Sequence, residues 1–168
     1  MYSEGDLGNI ESSYQTMAAF TIACNYNNRS DAKYKAISHL AVNPLILGKS
    51  GCCGDIVFYR VKKDEEGKEL AHKWLNYEPV VIIEIEQGKD TLKLERYLLE
   101  RQKFPTVKEA FLYRLDIDKE ELKVIDNEFY KVEVTNNNNK IQTITTEDSY
   151  SQVLGLDLRE LFDINTIL

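Results

Sequence analysis

Three carboxylates stand at the ends of two apolar, β-branched segments of this 168-residue chain. Asp55 begins the segment DIVFYRV, and Glu84 and Glu86 end the segment PVVIIEIE. Because side chains alternate along a strand, Glu84 and Glu86 project from the same face. A carboxylate at the end of an apolar run is costly to bury unless it is paired or binds a cation. The three carboxylates together are suited to an oxygen-ligand site for Mg²⁺ or Mn²⁺, whereas spacing alone favours the alternative that a glutamate is simply exposed at the strand end.

A second short motif, Gly48-Lys49-Ser50, matches only the end of a phosphate-binding loop. The full motif, G-x-x-x-x-G-K-[ST], needs a glycine at position 43, where this chain has Asn43. The residues between them are Pro-Leu-Ile-Leu, which do not form a loop that wraps backbone N–H groups around phosphate. The sequence therefore argues against a nucleotide-binding loop here.

Histidine and cysteine usage excludes several other chemistries. His39 and His72 are the only histidines, so a Ser-His-Asp or histidine-based metallo-hydrolase site is hard to build. The three cysteines, Cys24, Cys52 and Cys53, have no C-x-x-C spacing for zinc. A disulfide between two adjacent cysteines would be strained. We expect buried or half-buried free thiols.

Length and charge indicate one intracellular domain. A chain of this length fits a single domain, 1–168, and its net charge of −7 excludes a protein whose whole surface is basic. No apolar run approaches the roughly 18–20 residues of a membrane span. The acidic Glu4 and Asp6 near the start do not fit a basic signal-peptide start. We expect a cytoplasmic protein with no membrane partner.

The first 44 residues predict a helical segment. Apolar residues recur at helical spacing in 12–26 after a serine N-cap, and we expect residues 1–11 to be frayed. Segment 31–42 is interpreted as a second helix that stops before Asn43-Pro44.

The rest of the chain predicts a mixed sheet. β-branched runs indicate strands at 55–61, 79–86 and 109–117, and a helix at 90–104 makes a parallel, right-handed crossover between the last two. The nearly continuous apolar run 79–86 indicates a central strand buried on both faces. We expect Val81 and Ile83 on one face and Val80 and Ile82 on the other. The fold class is α/β (α+β): a mixed β-sheet core with flanking helices and a C-terminal hairpin. Further predicted features are a turn at 64–68, a hairpin of 122–125 with 129–134, a polar loop at 136–140 and a short helix around 156–162.

The order of these motifs resembles the core of the PD-(D/E)XK nucleases. GDIV at 54–57, followed by VVIIEIE at 80–86, is similar to the family's strand that begins with Asp and its next strand that ends in Glu-x-Lys. Lys89-Asp90-Thr91-Leu92-Lys93 with Tyr97 resembles the D-x-x-x-K-x-x-x-Y helix of the Uma2-type branch of bacterial proteins. Residues 150–162 are similar to the closing segment of that branch. The resemblance covers about residues 45–162 and implies a restriction-endonuclease-like fold.

This resemblance implies a metal-dependent endonuclease that hydrolyses DNA phosphodiester bonds. Asp55 and Glu84, with the Ile85 carbonyl or Glu86, would then hold one or two Mg²⁺ or Mn²⁺ ions. Glu86 stands where the family has the Lys of Glu-x-Lys, and Lys93 is the natural replacement, with Lys89 second. Lys93 would stabilise charge on the phosphate or orient the attacking water. The basic residues on one face of helix 90–104 and its start, which would contact DNA or form an ordinary solvated stripe, are Lys89, Lys93, Arg96 and Lys103.

The rival hypothesis is a catalytically inactive scaffold of the same kind, acting as a binding or assembly module. Glu86 at the lysine position and the net charge of −7 favour it, whereas the presence of Asp55, Glu84 and a nearby lysine favours the enzyme. Gly54 also replaces the proline that precedes the aspartate in the family. Cleavage of both strands of a duplex would be simplest for a two-fold homodimer.

Overall fold

The computed structural model describes residues 4–42, 52–71, 76–87, 106–118, 120–121 and 123–162. Within these ranges the chain forms a six-stranded mixed sheet, a long helix and a small two-stranded sheet, which confirms the α+β class. No helix in this part of the chain is long and apolar enough to cross a membrane. The elements are α1 (Glu4–Asn27), β1 (Lys35–Val42), β2 (Cys52–Val61), β3 (Tyr77–Gln87), β4 (Glu109–Asp118), β5 (Lys123–Asn137), β6 (Lys140–Glu147), β7 (Tyr150–Ser151) and β8 (Leu156–Asp157).

The six strands of the main sheet lie in chain order, β1 to β6, so β3 and β4 are central. The predicted parallel pair is confirmed, because β3 and β4 pair in parallel from Val81 opposite Glu109 to Gln87 opposite Leu115. All the other neighbouring strands of this sheet are antiparallel. The connection 88–105 lies outside the described residues, and with it the predicted helix and the hand of the crossover.

Strand β3 is buried on both faces, as its continuous apolar run predicts. Val81 and Ile83 pack in the core on the α1 side, and Ile82 packs in the core of the opposite face. Val80 departs from the predicted alternation because it also packs on the α1 side. Phe58 of β2 lies opposite Val81, but Tyr59 lies opposite Pro79, so Val80 is the extra residue of a bulge in β3. A bulge interrupts the alternation of side chains between the two faces.

Helix α1 and the closing segment 150–162 cover one face of the sheet. The inner side of α1 is rich in alanine, which allows close approach to the strands, and Tyr26 packs its ring edge-on against Phe58 at 4.9 Å. Leu161 belongs to the same core, and its carbonyl accepts a hydrogen bond from the Asn25 amide at 2.7 Å. The helix begins at Glu4, so the predicted fraying is wrong for 4–11. Cys24 is a half-buried free thiol, as predicted.

The predicted second helix over 31–42 is wrong, because Lys35–Val42 is strand β1. Helix-forming residues in this segment yield to antiparallel pairing with β2, and tertiary pairing commonly overrides such weak local preferences. Asn27, at the end of α1, donates to the Ala36 carbonyl at 2.7 Å and accepts from the Ala36 N–H at 2.9 Å. These two bonds satisfy backbone groups of β1 and tie its start to the helix.

The hairpin lies further along the chain than the sequence predicts. β5 runs without interruption through residues 126–128, where the turn was expected, and the reversal occurs at Asn138-Asn139. Both asparagines have positive φ, 51° and 64°, which is the conformation of a two-residue type I′ turn. The strand that follows, β6, is absent from the predicted elements, and the predicted loop 136–140 is mostly the tip of this hairpin.

Two smaller predictions near the chain's turns have different outcomes. The turn at 64–68 is confirmed, with Gly67 at a φ of 82° and the Asp64 carboxylate accepting from the N–H groups of Glu66 and Lys68. The short helix predicted around 156–162 is confirmed in part: residues 156–157 form β8, and a 3-10 helix follows at Leu158–Glu160. The Asp157 carboxylate accepts from the Arg159 N–H at 3.0 Å and caps that turn.

Candidate metal centre

Strands β2 and β3 bring Asp55 and Glu84 to one face of the sheet. Val57 and Ile82 are paired across these antiparallel strands and pack in the same core, on the face opposite α1. Asp55 precedes Val57 by two residues, and Glu84 follows Ile82 by two. Since side chains two apart share a face, both carboxylates belong to that face and to the same end of the strand pair.

The Asp55 carboxylate reaches the backbone of β3. The described pairing of β2 with β3 extends only as far as Ile56 opposite Ile83 and stops one residue short of Asp55. Beyond that point the side chain of Asp55 joins the two strands: its Oδ2 accepts a hydrogen bond from the Ile85 N–H at 2.7 Å. This bond holds the carboxylate against the residue that follows Glu84.

Glu86 is paired with an arginine on the neighbouring strand. Both Glu84 and Glu86 are 2% exposed, and burial of a carboxylate is costly without a compensating partner. Arg114 lies directly opposite Glu86 in the parallel β3–β4 pair, and its Nη2 is 3.7 Å from Glu86 Oε1. The guanidinium also stacks over the Tyr130 ring, 4.9 Å from its centroid. Arg114 therefore supplies a positive charge next to the buried Glu86.

Arg114 is a residue that the sequence analysis missed. Its proximity to Glu86 depends on the register of two strands separated by 88–105, so no local motif marks it. Its aromatic neighbour Tyr130 donates a hydrogen bond to the Glu128 carboxylate, which raises the pKa of Tyr130, as burial does to a smaller degree. The phenol therefore stays neutral at physiological pH and presents an uncharged ring to the guanidinium. We call Asp55, Glu84, Glu86 and Arg114 the strand-end site.

The predicted ligands are brought together only in part. Among the residues that the structure describes, no group of three or more Asp, Glu, His or Cys side chains is arranged to hold a metal ion. Asp55, Glu84 and Glu86 share one face, and Glu86 also lies beside Arg114 of β4. Ile85 is buried, and its N–H donates to Asp55. The predicted Lys89, Lys93, Arg96 and Lys103 lie outside the described residues, as does Gly48-Lys49-Ser50.

Two protein carboxylates are enough for a magnesium site, but too few for a metal site made entirely of protein ligands. Mg²⁺ usually keeps several waters and binds proteins through one or two carboxylates together with substrate phosphates. Asp55 and Glu84 match that requirement in number and in ligand chemistry. Zinc sites in proteins are built mainly from histidine and cysteine, and this donor set contains neither.

A second buried carboxylate, Glu109, lies at the start of β4, on the opposite face of the sheet. It is 5% exposed and accepts hydrogen bonds from the Ser151 hydroxyl at 2.5 Å, the Gln152 N–H at 3.0 Å and the Val153 N–H at 3.2 Å. The Lys131 ammonium is 3.0 Å from its Oε2. We call this cluster the closing-segment anchor, because it binds the start of the closing segment to the sheet.

Comparison with protein-family models and with curated proteins finds no match to this chain. The resemblance to the PD-(D/E)XK nucleases therefore stays a prediction from the motifs. The functional argument depends on the geometry of the strand-end site.

Proposed function

We propose that this protein is a metal-dependent endonuclease that hydrolyses DNA phosphodiester bonds, with Asp55 and Glu84 as ligands of Mg²⁺ or Mn²⁺. The observation that carries the proposal is the shared face of these two carboxylates, Asp55 near the start of β2 and Glu84 near the end of the antiparallel β3. The Asp55–Ile85 hydrogen bond supports it, because that bond fixes the Asp55 carboxylate beside the backbone of Glu84's strand. Paired carboxylates in this position are suited to hold a cation next to a phosphate.

Each residue of the strand-end site has a distinct role in the proposal. A bound divalent ion would polarise the scissile phosphate and lower the pKa of a water. Asp55 and Glu84 would bind and orient this ion, and the backbone N–H of Ile85 positions the Asp55 carboxylate. Arg114 offsets the charge of Glu86, so that Glu86 adds less negative charge to a site that must admit a phosphate. Lys93 is proposed to stabilise charge on the phosphate.

The DNA-binding part of the proposal rests on sequence. Lys89, Lys93, Arg96 and Lys103 are proposed to contact phosphates, because a chain of net charge −7 needs a local basic face to approach DNA. Phosphate contacts position a nuclease on DNA without reading the base sequence. A cytoplasmic location and a homodimer that cuts both strands belong to the same proposal.

A catalytically inactive scaffold is the second candidate function. The Glu86–Arg114 pair favours it. Glu86 stands where the PD-(D/E)XK nucleases have a lysine, and its partner Arg114 gives it a structural contact. The finding that the described residues hold no three-ligand group points the same way. In this alternative, the Asp55–Ile85 hydrogen bond only joins two strands, and the chain acts as a binding or assembly module.

Cleavage of plasmid and single-stranded DNA with Mg²⁺ or Mn²⁺ tests the proposal. We expect cleavage by the natural chain and by Glu133→Gln, which alters an exposed carboxylate of β5 away from the site. We expect Asp55→Ala, Glu84→Gln and Lys93→Ala to abolish it. The increase in melting temperature that the metal ion causes separates metal binding from phosphate contact. Lys93→Ala should keep this increase, because it removes a cation and not a metal ligand. Asp55→Ala should lose it. Absence of both cleavage and metal-induced stabilisation in the natural chain would favour the inactive scaffold.

A further inference from the structure

A cleft lies at the end of β2 that is remote from Asp55. It has a volume of about 610 Å³. Its walls come from four segments: the loop into β1, the end of β2, the start of β3, and the short hairpin in which Lys63 pairs with Glu69. Tyr59, on the wall, is four residues from Asp55, which corresponds to about 13 Å along a strand. The cleft is therefore separate from the strand-end site.

Positive charge is concentrated in this cleft. The lining contains four basic side chains, those of Lys33, Lys35, Arg60 and Lys63, and two acidic ones, those of Glu69 and Glu78. Of these, Arg60 and Glu78 are already paired, with Arg60 Nη2 3.5 Å from Glu78 Oε2. A local excess of positive charge on a chain of net charge −7 indicates a site for an anion.

The segment that carries the two lysines is held in place by α1. The Tyr34 N–H, between Lys33 and Lys35, donates to the Tyr26 hydroxyl at 3.2 Å. Just after Lys35, Ala36 exchanges two hydrogen bonds with Asn27. A fixed backbone lowers the entropy that is lost when side chains close on a ligand. The lysines are therefore presented from a rigid edge.

One part of the cleft wall is uncharged. Ala32, Tyr34, Tyr59 and Val61 contribute apolar and aromatic surface. Burial, and then the neighbouring Tyr77, raise the pKa of Tyr59 to about 12, so its phenol is neutral at physiological pH. Tyr59 and Tyr77 also pack ring against ring, with centroids 4.3 Å apart. The cleft thus combines converging cations with a neutral wall.

We infer that this cleft binds a phosphate ester of nucleotide size, either a free nucleotide or a nucleotide unit of a nucleic-acid strand. Lys33, Lys35, Arg60 and Lys63 would contact the phosphate, since Lys and Arg form charge-assisted hydrogen bonds with its oxygens. The neutral wall would lie against the sugar and base. The volume falls within the roughly 300–1,000 Å³ of small-molecule sites.

Calorimetric titration of the full chain tests the inference, with EDTA present so that divalent ions do not contribute. The probes are adenosine monophosphate, adenosine and a short single-stranded oligonucleotide. The double variant Lys33→Ala/Lys35→Ala should weaken binding of the phosphate-bearing probes at least about tenfold, because it removes two cationic contacts. The matched control Lys123→Ala/Lys140→Ala removes the same charge from exposed positions outside the cleft and should bind as the natural chain does. Adenosine should bind more weakly than its monophosphate.

The outcomes distinguish the sources of the phosphate. Equal affinity for the monophosphate and the oligonucleotide would support the cleft as a site for free nucleotides. Much tighter binding of the oligonucleotide that Lys33→Ala/Lys35→Ala weakens would support a strand. Equal loss of affinity in the double variant and its control, or no binding of either phosphate probe, would overturn the inference. Asp55→Asn should leave nucleotide binding unchanged, so failure here is distinguishable from failure of the proposed nuclease.

Discussion

The two buried carboxylate sites of the sheet are built in different ways. The closing-segment anchor surrounds Glu109 with a hydroxyl, two backbone N–H groups and an ammonium group, all within 3.2 Å. The strand-end site collects carboxylates from two adjacent strands, with a backbone N–H on Asp55 and a guanidinium 3.7 Å from Glu86.

This difference separates a structural role from a chemical one. In the anchor, donors from a segment 42 to 44 residues away in sequence converge on one acceptor, which stabilises buried charge and fixes that segment. In the strand-end site, the carboxylates of Asp55, Glu84 and Glu86 share a face, and such a group of like charges favours a bound cation. The anchor should therefore dominate stability, and the strand-end site should dominate the response to metal ions.

The largest expected effect is loss of stability on removal of the anchor. Glu109→Ala leaves the Lys131 ammonium, which is only 17% exposed, without its carboxylate, and frees the closing segment from β4. We expect a loss of about 3 kcal/mol in the free energy of unfolding, as for other broken buried ion pairs. Chemical denaturation measures it. Glu133→Ala, at an exposed site, should change stability by no more than about 0.5 kcal/mol, and an equal loss in both variants would contradict the assigned role.

A smaller loss is expected when the cation of the strand-end site is removed. Arg114→Ala takes the guanidinium away from Glu86, which is 2% exposed. Because Arg114 is partly exposed and 3.7 Å from its partner, we expect about 1–2 kcal/mol, less than for the anchor. Denaturation of Arg114→Ala beside Glu86→Gln and the double variant gives the coupling of the pair. Additive losses would show that the two residues do not interact.

Without metal, Asp55→Asn should have a smaller effect still. An asparagine oxygen can also accept from the Ile85 N–H, so we expect a loss below about 1 kcal/mol in EDTA. With millimolar Mg²⁺, however, the natural chain should gain thermal stability that the variant lacks. Differential scanning calorimetry in the two buffers separates these effects. A large loss in EDTA would assign Asp55 to the same structural class as Glu109.

The smallest effect concerns acid. Asp157 caps the 3-10 turn of the closing segment, and hydrogen bonding to Arg159 lowers its pKa from the ordinary 3.8. A carboxylate with a lowered pKa stabilises the fold fully above its ordinary pKa, and this contribution is lost as the pH falls through the lowered value. Asp157→Asn should therefore flatten the dependence of unfolding free energy on pH below 3.8. Chemical denaturation of the natural chain and of Asp157→Asn over a series of pH values measures this dependence, and the same dependence in both chains would contradict the assigned role of Asp157.

The sequence predicts the centre of the sheet better than its edges. The β-branched run of β3 and the strands β2 and β4 follow from local pattern, because burial on both faces selects such residues. β1 is misassigned because its residues favour a helix slightly, and only pairing with β2 decides the matter. β6 is missed, although Asn138-Asn139 before a run rich in β-branched residues is a signal for a type I′ hairpin.

The candidate sites show the same limit. Asp55 and Glu84 are predictable, since each ends an apolar strand and alternation gives the face. Arg114 and the donors to Glu109 are not, because both depend on register and on contacts between segments far apart in the chain. The basic cleft is likewise hidden in sequence, where its four cations are spread over 31 positions, from Lys33 to Lys63.

Calorimetric titration with Mn²⁺ tests the central claim most directly. We predict one ion bound per chain, with binding strongly weakened by Asp55→Asn and by Glu84→Gln. Glu109→Gln, which keeps an acceptor in the anchor, should bind Mn²⁺ as the natural chain does. Binding that is absent at millimolar Mn²⁺, or that Asp55→Asn and Glu84→Gln leave unchanged, would contradict the assignment of a metal site to Asp55 and Glu84.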